Sequence, residues 1–213
     1  MGGSREVEIA GEKLVIYEHD DVCDLATGRA LTGSWVWDSA FVLSQWTATQ
    51  GRLEFDFAGK TVLELGAGTG LPGLTAALLG ASRVVLTDVE ALLPGLTKNV
   101  EANGLGDRIW VSRLVWGSDD LPEEVGGVEL VIMSDVFFDA TDVAVLGRTL
   151  KRVCGEKTRV WAACEIRPLT GECLNELVSV GFEVVELASQ LGVSSDEFAV
   201  FHLVPPTQDG ERQ

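Results

Sequence analysis

Thr61-Val-Leu-Glu-Leu-Gly-Ala-Gly-Thr-Gly70 is a short apolar strand that runs straight into a glycine-rich turn, and Leu71-Pro72-Gly73 then opens a helix. Glycines at 66, 68 and 70 remove the side chains that would hold a ligand away from the backbone amides. They also permit the positive φ values of a tight turn. At the end of a parallel strand, such a turn builds a nucleotide site. Arg83-Val-Val-Leu-Thr-Asp88 reads as a second strand ending in a carboxylate. It lies about twenty residues beyond the glycines, the spacing of an acceptor for ribose hydroxyls. Together the two features predict an adenosine-containing cofactor. The alternative for Asp88 is a structural acid capping the following helix.

Two cofactor readings overlap on this turn. Gly68-x-Gly70-x-x-Gly73 satisfies the dinucleotide pattern, which is a weak signal when it stands alone. The fuller string Glu64-x-Gly66-x-Gly68-x-Gly70 resembles the first motif of class I S-adenosylmethionine-dependent methyltransferases. In that family the acid at the Glu64 position lies near the methionine end of the cofactor. A pyrophosphate would gain nothing from a carboxylate at the turn.

Further segments follow in one order: Gly33-Ser-Trp-Val-Trp37-Asp-Ser-Ala-Phe-Val-Leu43, the glycine motif, Asn99-Val-Glu-Ala-Asn103, Leu114-Val-Trp116-Gly117, and Ser134-Asp135-Val-Phe-Phe138. That order is similar to the seven-β-strand branch containing the family 16 protein-lysine methyltransferases, over roughly residues 31 to 204. The resemblance implies that Trp37, Gly66, Ala67, Gly68, Asp88, Trp116 and Ser134 line an S-adenosylmethionine pocket. It places the acid-x-x-aromatic stretch from Asp135 to Phe138 at the mouth where substrate enters. Many members carry Tyr at the last position, so Phe138 lacks a hydroxyl that they have. Glu165-Ile-Arg167 resembles the family's acid-x-Arg segment beside that entrance, with a surface ion pair as the alternative. Trp116 is expected against the adenine, unless it is simply a core residue. Trp35 and Trp37 flank Val36, and an extended segment is expected to keep them on different faces. The resemblance favours Trp37 as the cofactor-facing one and leaves Trp35 to packing or the substrate channel.

Composition agrees with one compact domain. A chain of 213 residues can bury a substantial core without disulfides or metals. Its 46% hydrophobic and 23% charged content is that of a globular protein. No apolar run approaches the length of a membrane span, and the N-terminus lacks a signal-peptide core. Met1-Gly2 opens like a myristoylation site, but Glu6 stands where that motif needs Ser or Thr. Cys23, Cys154, Cys164 and Cys173 form no C-x-x-C pair, and the histidines are only His19 and His202. No metal site is expected, and reduced, buried, inert cysteines suit a cytoplasmic or nuclear protein. The net charge of −17 disfavours a nucleic-acid partner. It favours encounter with a basic, lysine-presenting protein, or else it serves solubility alone. A monomer is expected.

Periodicity gives the organisation. Val7-Glu-Ile9 and Leu14-Val-Ile-Tyr17 around Gly11 predict a hairpin within an N-terminal extension, residues 1–30. A methyltransferase domain over 31–204 and a disordered tail over 205–213 complete the chain. Residues 37–50 fit an amphipathic helix. Strands are expected at 61–65, 83–87, 109–114, 129–134 and 158–164, separated by helices at about 72–80, 90–103 and 140–154. A helix near 170–180 and strands over 182–187 and 198–203 follow. This alternation predicts an α/β, doubly wound parallel sheet covered on both faces, and the resemblance implies a Rossmann-like, mostly parallel seven-stranded sheet with an antiparallel last strand.

Methyl transfer from a sulfonium needs little covalent help, so positioning is the enzyme's main contribution. A lysine nucleophile must also shed a proton, and a nearby carboxylate resists that by stabilising the ammonium. Asp135 is therefore better cast as a substrate anchor than as a base, with Phe138 and Trp35 as apolar walls offering a cation–π attraction. The expected function is protein-lysine N-methylation. Alternatives are an arginine- or small-amine-directed enzyme of the same fold, or a non-catalytic module that keeps the pocket. A NAD(P) oxidoreductase is disfavoured because nothing after Asp88 supplies a Tyr/Lys or His proton donor.

Overall fold

A computed structural model of the chain describes residues 3–187, apart from 21, 25–27 and 29, and residues 197–206. Of the expected tail, residues 207–213 lie outside the described residues. The hairpin pairs β1 (Ser4–Ile9) with β2 (Glu12–Tyr17). Its two-residue tip has positive φ at Ala10 (55°) and Gly11 (82°), the handedness that matches the twist of a tight hairpin. Val7, Ile9, Leu14 and Ile16 are buried, so the alternating side chains of the ribbon face the core.

Strand β3 (Thr61–Leu65) is covered on both faces, and its sequence shows why. Val62 belongs to the core beneath α1 (Asp38–Trp46) and α3 (Leu71–Leu78), while Leu63 and Leu65 belong to the core on the opposite face. A continuous apolar run is what a parallel strand buried on both sides requires. Around it lie β4 (Arg83–Asp88), β5 (Ile109–Arg113), β6 (Leu130–Ser134), β7 (Arg159–Glu165), β8 (Glu183–Leu187) and β9 (Phe198–Val204). The sheet order is β5-β4-β3-β6-β7-β9-β8. Strand β9 runs antiparallel to both neighbours, and the other pairings are parallel. The last strand in the chain thus sits inside the sheet, with β8 on the edge. Strand order reverses between β3 and β6, where an open α/β sheet places its ligands.

The remaining helices are α2 (Arg52–Glu54), α4 (Leu93–Ala102), α5 (Ala140–Val153) and α6 (Thr170–Ser179). Two expected helices differ in form. The one over 90–103 is a 3-10 turn, Glu90–Leu92, followed by α4. Pro94 has no N–H and fits only the first turn of an α-helix, which sets the α start at Leu93. The one over 37–50 is α helical to Trp46 and then widens to a π turn, Thr47–Gly51. There the Thr49 hydroxyl donates to the Gln45 carbonyl at 2.8 Å, and Gly51 lies against the Trp46 and Trp161 rings.

Helix α4 holds the hairpin through two amides one turn apart. Asn99 accepts from the Tyr17 N–H (2.8 Å) and donates to the Tyr17 carbonyl (3.2 Å) and the Thr69 carbonyl (3.0 Å). Asn103 accepts from the Val15 N–H and donates to the Val15 carbonyl, both at 2.8 Å. Residues i and i+4 share a helix face, and i and i+2 share a strand edge, so two asparagines stand in for a neighbouring strand along β2. This is the structural content of the Asn99-Val-Glu-Ala-Asn103 segment. Asn99 is fully buried, and Asn99→Ala would strand Tyr17 and Thr69 backbone groups. We expect it to lower the unfolding free energy by about 1–3 kcal/mol in urea denaturation, the cost of buried groups left unpaired.

Candidate active site

The glycine turn is built by local hydrogen bonds. The Ala67 N–H donates to the Thr87 carbonyl (2.9 Å) and the Gly70 N–H to the Ala67 carbonyl (2.7 Å). Gly66, Gly68 and Gly70 all have positive φ (66°, 54° and 85°). Close approach adds a second reason for glycine at 68: a Cβ there would lie 2.7 Å from the Gly33 carbonyl oxygen. At Gly73 a Cβ would run into Leu86 Cδ2, so that glycine lets α3 pack on the sheet.

Asp88 closes the turn from the end of β4. Its Oδ2 accepts from the Gly68 N–H (2.8 Å) and its Oδ1 from the Val89 N–H (2.7 Å). It is half-buried. Burial pushes its carboxyl up to about 6, against the lowering effect of those two amides. Each carboxylate oxygen keeps a free lone pair after one bond, enough to accept two hydroxyls. Glu64 points to the α3 side of the sheet and is sealed from solvent. Its Oε2 accepts from the Gly73 N–H at 2.8 Å, and Oε1 has no partner. Burial raises its carboxyl well above the usual range, opposed by the Gly73 bond and reinforced by Asp88. Glu64 thus tethers α3 beneath the turn, and only its unpartnered Oε1 is left to meet anything else. Trp116 lies over the turn: a Cβ on Gly66 would be 3.0 Å from its Cζ2 and 3.3 Å from Val136 Cγ1.

A second group gathers where β6 and β7 end. Asp135 has φ 55°, a left-handed conformation that Asp tolerates better than most residues, and its N–H donates to the Ala163 carbonyl. Its carboxylate is met by a guanidinium fork, with Arg167 Nη1 3.0 Å from Oδ1 and Nη2 3.2 Å from Oδ2. Arg167 also donates from Nε (3.0 Å) and Nη2 (2.7 Å) to Glu165 Oε2 and lies 5.7 Å from the Trp37 ring centroid. Burial alone would lower the Arg167 pKa, but bonds to Asp135 and Glu165 outweigh it and raise it. The Ser39 hydroxyl at the start of α1 contacts Asp135 Oδ1 (3.3 Å) and accepts from the Glu165 N–H (3.1 Å), joining α1, β6 and β7. Asp139, the N-cap of α5, accepts from the Thr141 N–H and fixes the far end of the 135–138 loop.

The expected site residues therefore form two adjoining sets. Gly66, Ala67, Gly68, Asp88 and Trp116 lie at the turn, and Ser134, Asp135, Glu165, Arg167 and Trp37 lie around the ends of β6 and β7. Phe138 is half exposed, and Trp35 and Trp37 are each 37% exposed. One expectation is corrected: Trp35 and Trp37 lie together, ring centroids 6.4 Å apart. The backbone there is extended, and in extended chain residues i and i+2 share a face, so it is Val36 that turns inward to the core. A second concerns the thiols: Cys154, Cys164 and Cys173 are buried, but Cys23 is exposed. Burial pushes Cys154 and Cys164 up to about 12, which keeps them as inert thiols. Gly33, Ser39 and the Arg167 fork carry no signal in composition or spacing, because each acts through a contact distant in sequence. Among the described residues no cluster suits a metal ion, and no helix is long and apolar enough to cross a membrane.

The model of the lysine methyltransferase family matches residues 24–177, most of the chain. This chain belongs to the lysine methyltransferase family. Protein N-lysine methyltransferase METTL21A of Danio rerio is 41% identical over 136 residues, 62% of this chain and 60% of that protein. EEF1A lysine methyltransferase 3 of Mus musculus is 37% identical over 135 residues, 62% of this chain and 55% of that protein. The matched segment thus spans under two thirds of these relatives. Among solved structures, the T. thermophilus 16S rRNA methyltransferase RsmC superposes with a TM-score of 0.65 at 20% identity, covering 96% of this chain and 51% of that one. The methyltransferase SibL in its apo form gives 0.62 at 18%, covering 82% and 56%. At these identities the likeness shows the fold, which this member of the lysine methyltransferase family shares with class I methyltransferases.

Gly68 tests the turn directly. Gly68→Ala forces a side chain into a positive-φ position and onto the Gly33 carbonyl. The expected cost is about 1–3 kcal/mol of stability, read as a lowered midpoint in thermal unfolding. A variant as stable as wild type would show that segment 31–37 does not lie on the turn.

Proposed function

We propose that this chain is an S-adenosylmethionine-dependent protein N-lysine methyltransferase acting in the cytoplasm or nucleus. The observation that carries the proposal is the Asp88–Gly68 turn joined, at the same reversal of strand order, to the acidic and aromatic mouth at Asp135. The residues fit the cofactor. Asp88 keeps two lone pairs for ribose hydroxyls and Trp116 offers a ring beside the turn, while Glu64, sealed from solvent, supports the turn from beneath. Ser134, at the end of β6, adjoins the pocket, and Trp37, expected on the cofactor side, lies at the mouth against Arg167. When bound, the cofactor supplies the methyl group from its sulfonium.

The chain's own residues do the rest. Asp135 and Glu165 give the mouth a negative potential that draws in an ammonium, while the exposed rings of Trp35, Trp37 and Phe138 wall the approach and lose water when a protein substrate covers them. An ordinary lysine, with a pKa of about 10.4, arrives protonated, and desolvation among those rings favours release of the proton. The names of the relatives, METTL21A and EEF1A lysine methyltransferase 3, support lysine on a protein over arginine or a small amine. The net charge of −17 supports a basic protein over nucleic acid.

Calorimetry with S-adenosylhomocysteine and NAD tests the cofactor. S-adenosylhomocysteine should bind and NAD should not, and the reverse order would sink the proposal. Asp88→Ala should weaken binding by about 1–3 kcal/mol, the loss of a buried hydrogen-bonding partner. The pH dependence has a definite sign. Hydroxyl donors need the carboxylate form, and Asp88 titrates at about 6 in the ligand-free protein. Affinity should be level above that pH and fall as pH drops through it, and Asp88→Asn should remove the step. Asp135→Ala should retain S-adenosylhomocysteine affinity while losing most transfer to protein. Full transfer by that variant would assign Asp135 a structural role only.

A further inference from the structure

The carboxylate best placed to receive a substrate ammonium already holds a cation of the chain's own. Asp135 is only 8% exposed in its side chain, and both its oxygens face the Arg167 fork at 3.0 and 3.2 Å. The same guanidinium covers the Trp37 ring at 5.7 Å, the aromatic face that a lysine head group would otherwise contact. Arg167 has in addition an independent hold on Glu165, through two bonds to one oxygen at 2.7 and 3.0 Å. Its side chain is 29% exposed and Glu165 is 46% exposed, so the solvent side of this pair is open.

We infer that the Asp135–Trp37 corner is an ammonium-binding subsite and that Arg167 is its built-in occupant, displaced onto Glu165 when a substrate lysine enters. This rests on the lysine methyltransferase reading above and deepens it. A bidentate guanidinium–carboxylate contact is stronger and more directional than one to a single ammonium. A lone lysine side chain therefore does not displace it cheaply. Leaving Asp135 costs Arg167 one charge-assisted bond and one ion-pair contact, while Nε and the shared Nη2 keep Glu165 Oε2, so the exchange is a swing of the side chain about Glu165. Asp135, Glu165 and Arg167 together carry one net negative charge, which an entering ammonium neutralises. The corner thus stays paired when no substrate is present, and free lysine-like cations are discriminated against. A protein that contributes further contacts at the rim can supply the difference. Arg167 acts here as a specificity-determining and positioning residue.

The test uses n-butylammonium as a lysine side-chain probe, titrated into the S-adenosylhomocysteine-saturated full chain and followed by the tryptophan indole N–H resonances in NMR. Wild type should bind the probe weakly. Arg167→Ala should bind it about ten-fold more tightly or better, the scale of one freed charged hydrogen-bond acceptor. Arg167→Lys, which keeps a cation beside Asp135, should stay near wild type. Adding Asp135→Asn to Arg167→Ala should erase the gain. A folded Arg167→Ala protein with unchanged probe affinity overturns the inference, as does a gain that survives Asp135→Asn. Arg167→Gln serves the same comparison if the alanine variant does not fold. The outcome is separate from that of the enzyme reading. Failure of the wild type to label any protein would sink the function proposed above and leave the butylammonium result standing.

Discussion

The bond from the Gly68 amide to the Asp88 carboxylate is the contact on which the rest of the site depends. It ties the turn after β3 to the end of β4, at 2.8 Å. With the turn so held, a side chain at 68 becomes costly, because the Gly33 carbonyl closes over it. That contact seats the segment leading into α1, which brings Trp35, Trp37 and Ser39 to the carboxyl edge of the sheet. Ser39 then reaches both Asp135 and the Glu165 amide. The glycine turn and the acidic mouth are in this sense one construction, assembled around the reversal of strand order between β3 and β6.

Two carboxylates of the site sit in environments that treat charge differently. Glu64 is fully buried with a single amide donor, so burial raises its carboxyl well above the usual range, and it serves as a tether under the turn. Asp135 is almost as enclosed, yet it meets a guanidinium that carries its own bonds to Glu165. Removing a charge from water is costly unless it is paired and hydrogen-bonded. Burial opposes the charge of the first carboxyl, whereas a counter-ion matches the charge of the second. That division leaves the net negative charge at the mouth, around Asp135 and Glu165.

Much of the architecture was legible because it depends on local pattern. The runs Thr61–Leu65 and Arg83–Asp88 are apolar enough to be strands buried on both faces, and glycines at 66, 68 and 70 mark the turn between β3 and α3. Departures came where a local rule competed with packing. Pro94 moved a helix start, and the π turn at Thr47–Gly51 follows from Thr49 and from the fit of Gly51 against two tryptophans. The side-by-side indoles of Trp35 and Trp37 follow from extended backbone, in which alternate residues share a face. Asn99 and Asn103 were visible as letters, but their partners are backbone groups 82 and 88 residues away, which no spacing reveals. The Arg167 fork on Asp135 spans 32 residues and joins the ends of β6 and β7; the resemblance put both residues at one entrance, but not the bond between them.

Isotope-labelled S-adenosylmethionine offered to a cell lysate with the purified chain tests the central claim most directly, when the labelled product is hydrolysed and its amino acids are separated. The account predicts label in protein, co-eluting with an Nε-methylated lysine and absent from nucleic acid. Label in methylarginine, in RNA or in a small amine, with none in lysine, would contradict it.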